Sequence, residues 1–187
     1  MIYGDRIRLV AIEKNDLPLF VEWLNDPEVR QGISMYLPMS MAQEERWFEK
    51  MLERSPDEQP LNIEVRDGDE WVKIGNMGLF GFDHHARSAE VGIMIGNKDY
   101  WNQGYGTEAM DLMLKHGFET LNLHRIWLRV YADNPRAIRC YEKVGYIHEG
   151  RMRQARYVKG HYSDILIMGV LKEEWDHRKQ HQEKGSE

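Results

Sequence analysis

Apolar positions along this chain recur at a period of two in some stretches and near 3.6 in others, and the changes of period mark its elements. Arg6-Ile7-Arg8-Leu9-Val10-Ala11-Ile12 alternates and predicts a first strand. Asn15 or Asp16 then stands where a side chain caps a helix carrying Leu17, Phe20, Val21, Trp23 and Leu24. Residues 31–39 show no period and contain Gly32 and Pro38, so they read as a loop. Ser40 with Gln43 makes a capping box for a second helix through Trp47, Phe48, Met51 and Leu52. Residues 61–82 read as two strands about the turn Asp67-Gly68-Asp69-Glu70, and a turn at 83–87 leads to a strand over 89–95. A glycine-containing loop follows, then a helix over 107–121 and a strand over 125–131. Asn134 is a cap, Pro135 a first helical residue and Gly145 a left-handed stop for the next helix. Two last strands, near 146–158 and 161–171, flank Lys159-Gly160.

The predicted order is β-α-α-β-β-β-α-β-α-β-β. It implies an α/β protein with a mixed sheet, helices on both faces and antiparallel hairpins at both ends. Residues 89–131 read strand, helix, strand, a right-handed parallel crossover. No repeat or linker interrupts the pattern, so residues 1–175 are expected to form a single domain. Residues 176–187 are charged and are expected to fray.

Composition narrows the function. The 187 residues are 30% charged and 11% aromatic, a globular balance. No apolar run suits a bilayer span, and residues 1–6 lack the features of a signal peptide. Cys140 is the single cysteine and has no partner for an internal disulfide, so a cytoplasmic location is expected. The net charge of −6 argues against binding nucleic acid through a broad basic surface. It suits a cationic partner such as an amine, a polyamine or a basic peptide, or serves solubility alone. The eight histidines show no metal-ligand spacing, so no metal is expected.

The strongest local signal follows the strand Val91-Gly92-Ile93-Met94-Ile95. There Gln103-Gly104-Tyr105-Gly106-Thr107-Glu108-Ala109 leads from a short loop into a helix. Glycines let a ligand approach the backbone, and a helix start offers N–H groups and positive potential to a phosphate. A dinucleotide-binding unit fits poorly, because antiparallel strands precede this one and it lies mid-chain. A Walker loop is absent, since no Gly-Lys-Ser/Thr follows the glycines.

Three segments together resemble the GNAT superfamily of acyl-CoA-dependent N-acetyltransferases. They are Glu90–Ile95 with Gln103–Ala109, then Ala132-Asp133-Asn134-Pro135-Arg136-Ala137-Ile138-Arg139-Cys140-Tyr141-Glu142-Lys143-Val144-Gly145-Tyr146, and the terminal hairpin ending in Asp164-Ile165-Leu166-Ile167-Met168. The likeness spans residues 6–175 and is nearest to the ribosomal-protein N-terminal and spermidine acetyltransferases. Trp101 departs from the family's Arg or Gln and puts one phosphate contact in doubt.

The resemblance implies acetyl-CoA as cosubstrate, a homodimer, and direct transfer to a primary amine. A protein N-terminal amine is the main expectation. The alternatives are a polyamine acceptor or a non-catalytic acyl-CoA sensor. The backbone of Gln103, Gly104, Tyr105, Gly106 and Thr107 would hold the pyrophosphate. Ile93, Met94 and Ile95 would pair with the pantetheine arm from a strand that splays, with Gly92 a place for distortion. Tyr141 would protonate the departing thiolate, and Asn134 and Ala137 share its helix face towards the cosubstrate. Glu90 is the candidate base, unless it is an exposed strand carboxylate and water serves instead. Cys140 lies about 100° round the helix from Tyr141 and has no neighbouring base, so direct transfer is preferred over an acetyl-enzyme. Gln31, Met35 and Tyr36 are candidates for lining the acceptor site, with ordinary loop packing the alternative.

Overall fold

The structure is a computed structural model that describes residues 1–33 and 35–184. In chain order it forms β1 (Ile2–Tyr3), β2 (Ile7–Ala11), α1 (Leu17–Asn25), α2 (Met41–Leu52), β3 (Leu61–Asp67), β4 (Glu70–Asp83) and β5 (Ser88–Ile95). It continues with α3 (Tyr105–Lys115), β6 (Arg125–Tyr131), α4 (Pro135–Val144), β7 (Ile147–Val158), β8 (His161–Leu171) and α5 (Lys172–Lys184). The strands follow one hydrogen-bonded order, β1-β2-β3-β4-β5-β6-β8-β7. The mixed α/β sheet and the order of elements read from the periodicity hold, with β1 and α5 added.

Two compact units share the chain: Met1–Phe80 with Gly92–Leu112, and Gly81–Val91 with the chain from Met113 on. In the first, β1 to β4 pair antiparallel. The register slips by one residue at Ile63/Glu64, which face Gly75 and Lys73. Gly75 is required here, because a Cβ would strike the Met94 carbonyl. Phe20, Trp23, Leu17, Val29 and Met51 are buried together, with Trp47, Phe48, Met94 and Trp101 packed on them. Ser40 and Gln43 form the expected capping box. Asp16 departs from the expected cap: its side chain accepts from the Glu13 N–H at 2.9 Å and from Asn62 at 2.6 Å, and pairs with Lys73.

In the second unit, β5 pairs parallel with β6 over Ser88–Glu90, and the β6 to β8 and β8 to β7 pairs are antiparallel. Gly117 sits in one π-helical turn, His116–Thr120, that ends the α3 helix earlier than residue 121. A Cβ on Gly117 would meet Ile126 of β6, so the glycine permits that close approach. The tail expected to fray instead forms α5 as far as Lys184, and residues 185–187 lie outside the described residues. Trp175 explains the difference. It is 4% exposed, its ring lies 5.5 Å from Phe118, and Lys179 bonds Glu119 at 2.9 Å. A single buried tryptophan contributes roughly 1.5–3 kcal/mol, enough to hold a polar helix that has no other apolar stripe.

Candidate active site

In the first unit, the segment after β5 is braced from several sides. The Gly96 and Asn97 N–H groups donate to the Ile74 carbonyl at 2.8 and 3.0 Å, and a Cβ on Gly96 would enter the Trp23 ring. Trp101 donates its indole N–H to the Ile95 carbonyl at 2.8 Å. The residue that departs from the family pattern is therefore a structural tie from loop to strand end. Gln103 donates to the Asp99 carbonyl at 2.6 Å. Asn102 and Gly104 both take left-handed backbone, φ +61 and +87. That turn starts α3 at Tyr105, two residues before the expected position. Gln103 and Gly104 are exposed, and Tyr105, Gly106 and Thr107 form the first helical turn. Left-handed glycine followed at once by a helix start is a fit for the phosphate cradle that the sequence implied.

Arg6 holds this turn from a distance in sequence. Its backbone N–H donates to Glu108 Oε1 at 2.7 Å and its Nε to Oε2 at 2.8 Å. It also donates to the Gln103 carbonyl at 3.2 Å and lies 4.6 Å over the Tyr105 ring. Tyr100 donates to Asp67 at 3.0 Å. Reading the sequence alone misses Arg6 and Glu108, because the 102 residues between them leave no local signal.

The candidate acceptor segment lies between α1 and α2. Asn25 pins its far end through two bonds to Met39, at 2.8 and 2.9 Å. Lys98 pairs with Asp26 at 2.8 Å and Glu28 at 2.6 Å, which ties the near end to the loop after β5 and holds the ammonium pKa well above its usual value. Arg30 donates to the Met35 carbonyl at 3.2 Å. Between these ties Gln31 and Tyr36 are exposed and Met35 is half-buried. The structure keeps the three candidates in one segment between α1 and α2.

In the second unit, the Asn134 side chain accepts from the Ala137 N–H at 3.2 Å, Pro135 opens α4, and Gly145 ends it at φ +103. Along α4 Tyr141 and Val144 are buried and Ala137, Ile138 and Cys140 half-buried, as is the cap Asn134. Tyr141 is 9% exposed and lies 6.0 Å, ring to ring, from Tyr146. Burial pushes its phenol pKa well above the usual value, so it keeps its proton at neutral pH. Cys140 is half-buried.

Glu90 sits in an ion pair with Arg129. Arg129 donates to both its oxygens, at 2.8 and 3.0 Å. The bidentate guanidinium thus holds both carboxylate oxygens in one ion pair. The recorded pairing of β5 with β6 ends at Glu90, opposite Trp127, while β5 continues to Ile95. The described residues contain no cluster of three or more His, Cys, Asp or Glu suited to a metal, and no helix long and apolar enough to cross a membrane.

Comparison with known proteins gives these features a family. The acetyltransferase (GNAT) domain model matches residues 6–147. A spermidine N(1)-acetyltransferase of Vibrio cholerae is 28% identical over 185 residues, covering 94% of this chain and 98% of the relative. A Bacillus subtilis protein named as a proposed ribosomal N-acetyltransferase is 30% identical over 105 residues, 56% of this chain and 57% of its own length. Among solved structures, the Vibrio cholerae spermidine N-acetyltransferase in complex with CoA and spermine superposes with a TM-score of 0.82. It is 25% identical and covers 92% of this chain and 99% of that one. The chain therefore belongs to the GNAT acetyltransferase domain family and is an N-acetyltransferase that uses acetyl-CoA.

Proposed function

We propose that this enzyme transfers the acetyl group of acetyl-CoA to a primary amine of a polyamine of the spermidine class. The observation that carries the reading is the likeness to a spermidine acetyltransferase over nearly the whole of both chains, in sequence and in fold. The ribosomal-type relative aligns with little more than half of this chain, so a protein N-terminus is the weaker reading. A net charge of −6 suits a polycationic acceptor. The reading includes a homodimer, expected from the same resemblance.

Bound acetyl-CoA supplies an acetyl thioester. The roles then divide among this chain's own residues. The backbone from Gln103 to Thr107 holds phosphate, with Arg6 and Glu108 fixing its shape. The main chain of Ile93, Met94 and Ile95 pairs with the amide-bearing arm, and Asn134 and Ala137 orient the thioester end. Tyr141 presents a protonated phenol to the departing thiolate. The acceptor amine, with a pKa near 10.4, must shed its proton at a cost of roughly 4–5 kcal/mol at neutral pH. Arg129 occupies both oxygens of Glu90, so we assign the proton's removal to water and leave Glu90 as a strand anchor. Release of free thiol from acetyl-CoA in the presence of spermidine, with the acetylated amine identified by mass, tests the reading. Acetyl-CoA binding without thiol release with any amine would instead mark a sensor.

A further inference from the structure

Tyr146 closes the left-handed turn at the end of α4. Its backbone N–H donates to the Tyr141 carbonyl at 3.0 Å, and the Gly145 N–H donates at 3.1 Å to the carbonyls of Tyr141 and Glu142. Gly145 holds φ +103, so the chain turns back and lays the residue after the glycine over the last turn of the helix. This kind of cap often carries an apolar contact between the two residues it joins. Here the contact is Tyr146 on Tyr141, ring to ring at 6.0 Å and tilted by 58°.

A phenylalanine would supply that contact. The Tyr146 hydroxyl is surplus to it. The residue is 3% exposed, and its phenol oxygen is buried with no hydrogen-bond partner among the described residues. Burial first, then the neighbouring Tyr141 and Cys140, holds this phenol well above its usual pKa, so it stays protonated and serves as a donor. A buried donor without an acceptor is costly, and one justification for it is an acceptor that exists only during a reaction.

The proton transfer assigned to Tyr141 creates such an acceptor beside it. When Tyr141 gives its proton to the departing sulfur, its O–H bond breaks, the electron pair stays on the phenol oxygen and an S–H bond forms. A thiol has an ordinary pKa of about 8.5 and a phenol about 10, so this transfer runs uphill. The burial of Tyr141 steepens the climb. A hydrogen bond to the new phenolate oxygen works against it. We propose that the Tyr146 hydroxyl donates to the Tyr141 oxygen as that oxygen becomes anionic, which makes Tyr146 a positioning residue that acts through Tyr141. Tyr146 keeps its own proton throughout, and a proton from solvent restores Tyr141. The inference rests on the role given to Tyr141 above, and it holds for a polyamine or a peptide acceptor alike.

The test is the single-turnover rate of thiol release, with enzyme in excess over acetyl-CoA, in wild type, Tyr141→Phe, Tyr146→Phe and the double variant. Steady-state KM values and melting temperatures accompany it. The acceptor is spermidine, or a peptide with a free N-terminus if only that is acetylated. Tyr146→Phe removes one oxygen and keeps the ring. Its rate falls by about tenfold. Both KM values stay within about twofold of wild type, and the melting temperature does not fall, since a stranded hydroxyl has been removed. In the Tyr141→Phe background the same substitution changes the rate by less than about twofold, because its effect needs the Tyr141 oxygen. A purely structural role would lower the melting temperature and slow both backgrounds alike. A Tyr146→Phe rate matching wild type would overturn the inference, as would a loss that persists in the Tyr141→Phe background. A Tyr141→Phe rate matching wild type would overturn the Tyr141 assignment and the inference with it. Thiol release with neither acceptor would overturn both.

Discussion

The loop after β5 and the segment between α1 and α2 belong to the same compact unit and are built on opposite lines. Trp101, Gln103, Arg6 and Glu108 tie the first at nearly every residue, and the glycine turn admits one backbone path. The second is tied at its ends, by Lys98 to Asp26 and Glu28 and by Asn25 to Met39, while Tyr36 and Leu37 between them are 67% and 75% exposed. A pyrophosphate is the same in every reaction that uses this cosubstrate, so its cradle is best built rigid. The acceptor is what distinguishes one such enzyme from another, and the segment proposed to meet it has fixed ends and an exposed middle. Lys98 connects the two, so the position of the acceptor segment depends on the loop it is pinned to.

The largest expected effect lies outside both segments and calibrates them. Tyr141→Phe lowers kcat by about a hundredfold while leaving both KM values close to wild type, measured with acetyl-CoA and spermidine. An unchanged kcat would remove Tyr141 as the proton donor. Next comes the rigid loop. A β-branched side chain at φ +87 costs roughly 1–3 kcal/mol and would crowd Arg6. Gly104→Val therefore raises the acetyl-CoA KM by about 5- to 100-fold, with a smaller change in spermidine KM. Equal changes in both would break the contrast between the segments.

The smallest effect is in stability. Glu44 of α2 is 3% exposed, and burial pushes its carboxyl up to about 7 in the folded protein against an ordinary 4.5. The folded state therefore holds a proton that the unfolded state releases between these values, and stability falls as pH rises through that window. Glu44→Gln has no such fall. Its melting temperature should match wild type below about pH 4.5 and exceed it by roughly 2–6 °C at pH 8. A gap that stays constant with pH would contradict the titration.

What was legible in the sequence was local. Asn134, Pro135 and Gly145 mark both ends of α4 because capping is decided within a few residues. Ser40 and Gln43 mark α2 for the same reason. The glycine loop was legible too, since a left-handed turn leaves a residue signature. The features that stayed hidden depend on partners far along the chain. Arg129 pairing with Glu90, Arg6 gripping Glu108, and Trp175 docking α5 beside Phe118 are all made by tertiary pairing. Glu44 reads in sequence as one more helix glutamate beside Glu45, and only the packing of α2 separates the buried one from the exposed one.

The central claim is the acceptor class. The most direct measurement is the ratio of kcat/KM for spermidine to that for a peptide with a free N-terminus, at saturating acetyl-CoA. A polyamine enzyme discriminates by its buried charge contacts, and the account predicts a ratio of about a hundred or more in favour of spermidine. A ratio at or below one would contradict it and return the acceptor to a protein N-terminus.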